Sequence, residues 1–262
     1  MMNLDRFSNL FDLSGRIAVV TGASQGIGMA VSNALYDAGA TIVATDIRMP
    51  DDSLLNAGIT DRRILDVTDE AAAKQLMQDV FDKYGHLDIL VNNAGIMYKD
   101  SIFDLDIDRY KKVIDTNLTG TVICTRYAVP FMQKQHWGRV LNIASSQAFL
   151  ATETYTAYAA SKSAIAHLSR VWGNELAADN VLVNGLCPCF ANTPMMEGSI
   201  KRMAEQLNTD EKGGLKHFED KIPLGRILDI SEIGNWAAAL CSELGNATTG
   251  SNFAITCGQV QL

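Results

Sequence analysis

Apolar and polar residues follow two different periods along this chain. Short apolar runs rich in β-branched residues are typical of buried strands, whereas apolar residues spaced three and four apart are typical of helices. The short runs predict strands at residues 17–21, 41–45, 63–67, 87–92, 139–144, 181–186 and 253–256. The longer stretches predict helices at residues 27–38, 68–85, 108–132, 158–177 and 231–240.

Strands that alternate with helices of this length form βαβ units, and right-handed crossovers place the helices on both faces of a parallel sheet. We therefore predict an α/β fold: a single-domain, doubly wound parallel sheet of the Rossmann type over residues 1–262. Residues 189–223 interrupt the alternation, so we expect a substrate lid there. Thr68 is predicted to cap the helix at 68–85, and Pro130 to mark the end of the helix at 108–132.

Composition and charge narrow the partners. Of 262 residues 47% are hydrophobic, and the net charge of −8 leaves no basic surplus for a nucleic acid. No apolar run reaches membrane-spanning length, and residues 1–13 lack the pattern of a signal peptide, so we expect a cytoplasmic protein with no membrane partner. The five cysteines are scattered, as in a reducing compartment. Cys187 and Cys189 form an isolated Cys-x-Cys, and we expect no metal.

A glycine-rich segment, Thr21 to Gly28, joins the first predicted strand to the first helix. Glycines in such a turn let the backbone approach a pyrophosphate, and the helix N-terminus offers free N–H groups. The spacing is G-x-x-x-G-x-G, and an ordinary glycine-rich turn is the alternative. Asp46, at the end of the second strand, can accept hydrogen bonds from the adenosine ribose and repel a 2′-phosphate, which favours NAD. A loop-capping role is the alternative for Asp46.

Tyr158 and Lys162 lie four residues apart at the start of a predicted helix and so share one face. An ammonium favours a neighbouring phenolate, and the pair can then exchange a proton with an alcohol oxygen. Ser145 follows the fifth strand and can hold that oxygen, with Ser146 as a competing candidate. Asn117 is a poor helix former that can bend its helix or hold a water. A surface pair, a turn serine and a solvent-facing asparagine are the respective alternatives.

Together these residues resemble the short-chain dehydrogenase/reductase family in order and spacing. The resemblance rests on the glycine-rich loop, Asp46, Asp66-Val67, the run Asn92-Asn93-Ala94-Gly95, Asn117, Ser145, and Tyr158 with Lys162. It covers nearly the whole chain and implies an oxidoreductase that transfers a hydride between NAD and a small secondary alcohol or ketone. It also implies a homotetramer, and the charge-poor helix at 158–177 favours an assembly that covers this helix.

The resemblance assigns roles to single residues. Tyr158 is implied as the acid/base, and Ser145 as the group that binds the substrate oxygen. Lys162 is implied to hold the nicotinamide ribose and to lower the pKa of Tyr158, and Asn117 to anchor a water in a proton relay. Asp66 and Val67 are implied beside the adenine, Asn93 beside the adenosine ribose, and Thr193 at the carboxamide. The cofactor-binding set is then Gly22, Ser24, Gln25, Gly26, Ile27, Gly28, Asp46, Asp66, Val67, Asn93, Tyr158, Lys162 and Thr193.

Some segments depart from the family or bear on the substrate. Cys189 stands where the family usually has glycine, and Cys257-Gly258-Gln259 stands where it has Asp-Gly-Gly. The opening run Leu10 to Gly15 looks like sugar-acid and polyol members. The predicted lid offers apolar and cationic side chains for a polar or carboxylate-bearing substrate: Phe190, Met195, Met196, Phe218, Lys201, Arg202, Lys216 and His217. An NADPH-dependent ketone reductase and a non-catalytic dinucleotide-binding sensor are the alternative functions.

Overall fold

The computed structural model describes residues 9–48 and 55–260. Within them the strands are Ile17–Thr21 (β1), Thr41–Asp46 (β2), Asp61–Ile64 (β3), Ile89–Asn92 (β4), Gly138–Ile143 (β5), Val181–Pro188 (β6) and Asn252–Ile255 (β7). They form one parallel sheet in the order β3-β2-β1-β4-β5-β6-β7. The strand order reverses between β1 and β4, which are neighbours in the sheet. Open α/β sheets bind ligands at the carboxyl ends of the strands beside such a reversal.

Helices cover both faces of this sheet. They are Gly26–Asp37 (α1), Glu70–Tyr84 (α2), Ile107–Ile114 (α3), Gly120–Lys134 (α4), Thr156–Leu176 (α5), Pro194–Gln206 (α6), Glu211–Glu219 (α7) and Ile230–Cys241 (α8). On one face, α1 and α8 bury Leu35 and Ile233 against the strands. On the other, α2 and α4 bury Met77 and Met132. The predicted doubly wound, single-domain α/β fold is thereby confirmed.

The bounds of the third strand and the start of the following helix differ from the prediction, whereas the end of that helix at Gly85 agrees with it. β3 ends at Ile64 instead of residue 67, because its neighbour β2 ends opposite it at Asp46. Asp69, not Thr68, caps α2: its carboxylate accepts from the Ala72 N–H at 2.9 Å. The predicted cap at Thr68 is therefore wrong, and the side chain of Thr68 bonds to Asp66 instead.

The predicted helix at 108–132 is divided, and it does not end at Pro130. A π-helical turn, Asp115–Thr119, separates α3 from α4, as a poor helix former at Asn117 suggested. α4 continues through Pro130 to Lys134. A proline inside a helix removes one backbone hydrogen bond. Burial of the flanking Val129 and Met132 in the core offsets that loss.

Residues 189–223 fold into two helices, α6 and α7, that pack on each other. Gly214 permits the contact, since a Cβ there would lie 2.5 Å from the carbonyl oxygen of Ile200. The role of this segment as a lid stays a prediction. In the part of the chain that the structure describes, no helix is both long and apolar enough to span a bilayer. Most of the N-terminal stretch at 1–13 lies outside the described residues.

Candidate active site

A cavity of about 530 Å³ opens at the carboxyl ends of the central strands. Twelve of the residues predicted to bind cofactor or substrate line it: Gly22, Gln25, Gly26, Ile27, Asp46, Asp66, Val67, Asn93, Ser145, Tyr158, Lys162 and Thr193. The other three predicted residues, Ser24, Gly28 and Asn117, are not among the residues that line the cavity. The sheet thus brings one predicted set together although its members come from distant parts of the sequence.

The glycine-rich loop has a backbone that requires glycine at three of its positions. Gly22 and Gly26 have φ of +64° and +56°, a conformation that favours glycine. A Cβ on Gly28 would lie 2.1 Å from the carbonyl oxygen of Gly22. Gln25 is the N-terminal flanking residue of α1 and makes no side-chain cap, so the first N–H groups of that helix have no side-chain acceptor, and Gly26 and Ile27 line the cavity. This cradle fits a pyrophosphate.

Asn93 fixes the loop to the neighbouring strand. Its Nδ2 donates to the carbonyl oxygens of Thr21 and Gly22, at 3.0 and 2.9 Å. In return, the hydroxyl of Thr21 accepts from the backbone N–H groups of Asn93 and Ala94. Asn93 therefore positions the loop as well as lining the cavity, so its side chain has less freedom to reach a ribose than the sequence suggested.

Two acidic residues face the side of the cavity that is predicted to hold adenosine. Asp46 accepts from the Ser24 N–H through Oδ2 at 3.1 Å, which points its carboxylate at the loop. Asp66 accepts from the N–H and hydroxyl of Thr68, at 2.9 and 2.7 Å. Val67 packs against Gly120, where a Cβ would lie 2.6 Å from it. Hydrogen bonds to nearby protein groups thus fix the carboxylates of both Asp46 and Asp66.

Ser145, Tyr158 and Lys162 meet on one wall of the cavity. Lys162 Nζ donates to the carbonyl oxygen of Ile143 at 2.6 Å and lies 5.7 Å from the centre of the Tyr158 ring. Burial raises the pKa of Tyr158 to about 12, against the opposing effect of a hydrogen bond with Ser145. Burial also lowers the pKa of Lys162 to about 8. The expected lowering of the Tyr158 pKa by Lys162 is absent in the protein alone, because burial is the larger effect.

Asn117 connects the loop after β4 to the helix that carries Tyr158. Its Oδ1 accepts from the Ile96 N–H at 2.8 Å, and its Nδ2 donates to the Ile96 carbonyl at 3.0 Å and to Ser161 Oγ at 3.1 Å. Ser161 in turn donates to the carbonyl of Tyr158. The side chain of Asn117 is fully occupied by protein groups, so in this structure it is a positioning residue.

Residues 189–223, the predicted lid, contribute polar and apolar side chains to the cavity wall, with Thr193 among them. Thr193 caps α6 by accepting from the Met196 N–H at 3.2 Å. Its methyl group lies over the glycine-rich loop, 3.3 Å from where a Cβ on Gly26 would be. The apolar residues expected from the lid sequence all line the cavity: Phe190, Met195, Met196 and Phe218.

Cys189 places a side chain where the family usually has none. It lines the cavity, is buried, and lies within the same apolar cluster as Ile143. Burial raises the pKa of its thiol to about 12, so the thiol stays protonated at neutral pH. The side chain of Cys189 therefore takes up space in the cavity without adding a charge.

Three further residues at the site were missed by sequence reasoning: Lys99, Gln147 and Tyr155. Tyr155 and Gln147 are buried and line the cavity, and the Tyr155 ring lies 6.1 Å from that of Tyr158. The Nζ of Lys99 lies 5.0 Å from the centre of the Tyr155 ring. Gln147 follows Ser145 by two residues, and that closeness is the one local signal the sequence offered.

The fold, the glycine-rich loop and the Ser145, Tyr158 and Lys162 group define the class of protein: an oxidoreductase that binds a nicotinamide dinucleotide. A family model described as Enoyl-(Acyl carrier protein) reductase matches residues 22–259. The chain belongs to the short-chain dehydrogenase/reductase family and is an oxidoreductase that acts on CH–OH groups.

Three similar proteins show the range of this family. The 3-oxoacyl-[acyl-carrier-protein] reductase FabG of Thermotoga maritima is 33% identical, over 95% of this chain and 99% of its own. The D-beta-hydroxybutyrate dehydrogenase of Rhizobium meliloti is 30% identical, over 93% of this chain and 98% of its own. The ligand-free aldohexose dehydrogenase of Thermoplasma acidophilum is 27% identical with a TM-score of 0.86, over 96% and 95% of the chains.

Proposed function

We propose that the protein catalyses the NAD-linked oxidation of a small secondary alcohol to a ketone, or the reverse reaction. The observation that carries this proposal is the convergence of Ser145, Tyr158 and Lys162 on one wall of the cavity that the glycine-rich loop also lines. A dinucleotide-binding sensor needs the loop but not the proton-transfer group. The presence of both therefore favours an enzyme over the sensor alternative.

Tyr158 takes the proton of the substrate hydroxyl as the carbinol carbon gives up its hydride, and the C–O single bond becomes a carbonyl. A bound oxidised nicotinamide supplies the hydride acceptor and a positive charge that favours the phenolate. Ser145 binds the substrate oxygen. Lys162, with its pKa lowered to about 8, can pass the proton onward near neutral pH and hold the nicotinamide ribose. We propose that Asn117 keeps Tyr158 in place, with the water relay as its further role.

The cofactor is proposed to be NAD. Asp46 lines the cavity and points its carboxylate at the loop, where it would meet the 2′-phosphate of NADP. Like charges in contact cost several kcal/mol. In this proposal the pyrophosphate is held by the loop through Gly22, Gly26 and the end of α1, while Asp66, Val67, Asn93 and Thr193 flank the remaining groups. An NADPH-dependent ketone reductase is the alternative, and Asp46 disfavours it.

The substrate is proposed to be a sugar acid, polyol or related hydroxy compound, closed in by the lid at 189–223. The relatives include dehydrogenases named for an aldohexose and for a hydroxybutyrate. We also propose a cytoplasmic homotetramer. The outer side of α5 is exposed in the single chain, with Val171 at 43%, although this helix carries few charges. Two-fold interfaces would cover that side, and light scattering that finds a stable monomer would contradict the tetramer.

A cofactor comparison tests this proposal. Purified protein is assayed by absorbance with NAD and with NADP against sugar acids, polyols, cyclic alcohols and hydroxy acids. We expect turnover with NAD at least about tenfold more efficient than with NADP, the factor that each 1.4 kcal/mol gives. Asp46→Ser should relax this preference, while Asp66→Ser, which removes a carboxylate already occupied by Thr68, should not. Equal kcat/KM for the two cofactors would contradict the assignment of NAD, and no turnover of any compound would favour the sensor.

A further inference from the structure

A half-buried cation lies beside the substrate end of the cavity. Lys99 follows β4, and its Nζ lies 5.0 Å from the centre of the Tyr155 ring and 6.0 Å from that of Phe218. Both rings line the cavity. The backbone next to Lys99 is held by a bridge, in which the Asp100 N–H donates to the Thr154 carbonyl at 3.0 Å. The position of this ammonium is thus set by ordered parts of the chain.

A second cation reaches the same region from the lid. Arg202, on α6, donates through NH2 to the hydroxyl of Ser199 at 3.2 Å. Ser199 is buried and lines the cavity. Lys99 and Arg202 are near enough for each to affect the other, since Arg202 adds to the burial that lowers the pKa of Lys99.

Neither cation has a carboxylate partner within 4 Å among residues 9–48 and 55–260. The acidic residue next to Lys99 in sequence, Asp100, pairs with Arg109 at 3.4 Å instead. Aromatic rings offset part of the cost of a desolvated ammonium, and an anion offsets much more. Arg202 is exposed, as is the lid cation Lys216, but Lys216 differs because it pairs with Asp220. Lys99 and Arg202 therefore present unpaired positive charge beside the cavity.

A buried amide adds an uncharged polar group to this end of the cavity. Gln147 is 4% exposed, and its Oε1 has no hydrogen-bond partner in the described part of the protein. Its backbone N–H donates to Ser145 Oγ at 3.2 Å, which fixes its distance from the proposed substrate oxygen. Buried amide oxygens are nearly always satisfied, so this one is suited to a hydroxyl of a ligand.

We infer that the substrate is a hydroxy acid whose carboxylate binds between Lys99 and Arg202 while its carbinol carbon faces Tyr158, and that Gln147 binds a further polar group of the same molecule. This inference rests on the proposed function and names its substrate class. The centre of the Tyr155 ring lies 5.0 Å from Lys99 Nζ and 6.1 Å from the centre of the Tyr158 ring. We therefore expect at least one other carbon between the carboxylate and the carbinol carbon, so 2-hydroxy acids such as lactate should be poor substrates.

Matched acids and neutral analogues test this substrate class with NAD. The acids are 3-hydroxybutyrate, cis-4-hydroxycyclohexanecarboxylate and gluconate. Their neutral partners are the two methyl esters and glucitol, and lactate serves as the short acid. We expect at least one of the three acids to exceed its neutral partner about 10- to 100-fold in kcat/KM, the range of a charge-assisted hydrogen bond, and lactate to be poor.

Lys99→Met keeps the aliphatic stem and removes the charge. It should remove the preference for the acid, mainly through KM, by lowering kcat/KM for the acid far more than for its neutral partner. Lys216→Met is the matched control, because it removes a paired cation from the lid, and it should change neither. Gln147→Leu should lower acid and neutral partner alike, since an amide binds a hydroxyl without regard to charge.

The outcomes separate the two proposals. If neutral compounds turn over as well as acids, or if Lys99→Met keeps the acid preference, the carboxylate site is wrong while the oxidoreductase stands. If nothing turns over with NAD or NADP, the proposed function fails. In that case calorimetric titration of cyclohexanecarboxylate into the native protein and Lys99→Met decides the site. Binding that is lost in the variant supports the site, and absence of binding to both overturns it.

Discussion

Buried charges have opposite roles at the two ends of the parallel strands, called here the amino edge and the carboxyl edge of the sheet. At the amino edge, before β4, Asp88 is 2% exposed and accepts from the Ile17 N–H at 2.9 Å, from Arg16 at 3.1 Å and from His86 at 2.5 Å. At the carboxyl edge, Lys162 is buried and donates to a carbonyl oxygen, with no carboxylate partner among the residues that the structure covers.

A buried charge that has partners is an element of stability, whereas one that lacks them is available to a ligand. Asp61, the first residue of β3, belongs to the amino edge and is bound by Arg63, Lys83 and Tyr84. Lys99 belongs to the carboxyl edge. The difference predicts that removal of charge costs stability at one edge and activity at the other, and four experiments test this contrast.

The largest effect is expected from Tyr158→Phe at the carboxyl edge. The ring stays and the proton carrier is lost, so kcat should fall about 100- to 10,000-fold, the range of general acid–base catalysis. The melting temperature and NAD binding should stay close to those of the native protein. Steady-state kinetics and a thermal melt measure both quantities.

Tyr84→Phe is its control at the amino edge. This change removes the hydroxyl that donates to Asp61 at 2.8 Å, so it should lower the free energy of unfolding by about 1 kcal/mol and leave kcat unchanged. If Tyr158→Phe keeps more than a tenth of the native rate, another group carries the proton.

Asp88→Asn should give the next largest effect, on stability. An amide of the same shape leaves Arg16 without its counter-charge and cannot accept from all of its present donors. Asp88 is buried but Arg16 is 36% exposed, so the expected loss is that of charged hydrogen bonds, about 2–3 kcal/mol, and denaturant unfolding measures it. Under conditions where the variant is folded, kcat should match that of the native protein.

The exposed Asp108→Asn is the matched control for Asp88→Asn and should alter neither quantity. A tenfold loss of kcat in folded Asp88→Asn would show that the amino edge also contributes to catalysis, and the division between the two edges would then be wrong.

Asp61→Asn should have a smaller, pH-dependent effect. Its bonds to Arg63, Tyr84 and Lys83 hold the pKa of Asp61 well below its usual value. A lowered pKa contributes stability above the unfolded-state value near 4, and this contribution is lost as the pH falls toward the native value. At pH 7 the variant should be less stable by about 1–2 kcal/mol. Unfolding curves of variant and native protein should converge as the pH is lowered, and a gap that stays constant with pH would refute this assignment.

Lys99→Met should give the smallest change in stability. Since this ammonium has no carboxylate partner among the described residues, its removal should alter the free energy of unfolding by less than about 0.5 kcal/mol, or raise it. Thermal melts of this variant beside Asp61→Asn would compare one charge from each edge. A loss as large as that of Asp61→Asn would indicate that Lys99 stabilises the fold, and would weaken the contrast between the edges.

The sequence predicted those features that depend on local spacing. The glycine-rich loop and the pair Tyr158 and Lys162 each lie within a single turn or helix, so their residues determine their geometry directly. Capping could be predicted less well, because Thr68 and Asp69 are both good caps and only the observed backbone selects Asp69.

Features that depend on contacts between distant segments were not predictable. Lys99 and Tyr155 come together only when the loop after β4 bridges to the start of α5. The raised pKa of Tyr158 in the protein alone was also not predictable, because it results from burial in the fold and not from the spacing to Lys162. The long-range part of the site therefore had to be read from the fold.

The π-helical turn at Asp115–Thr119 acts as a one-residue insertion that sets the rotation of α3 about the helix axis relative to α4. Each residue of an α-helix rotates the chain by about 100°, so one extra residue in a turn rotates α3 by that angle relative to α4. Deletion of one residue here would restore a continuous helix from α3 to α4 and turn the amide of Asn117 away from Ile96. The length of this segment therefore sets the orientation of Asn117.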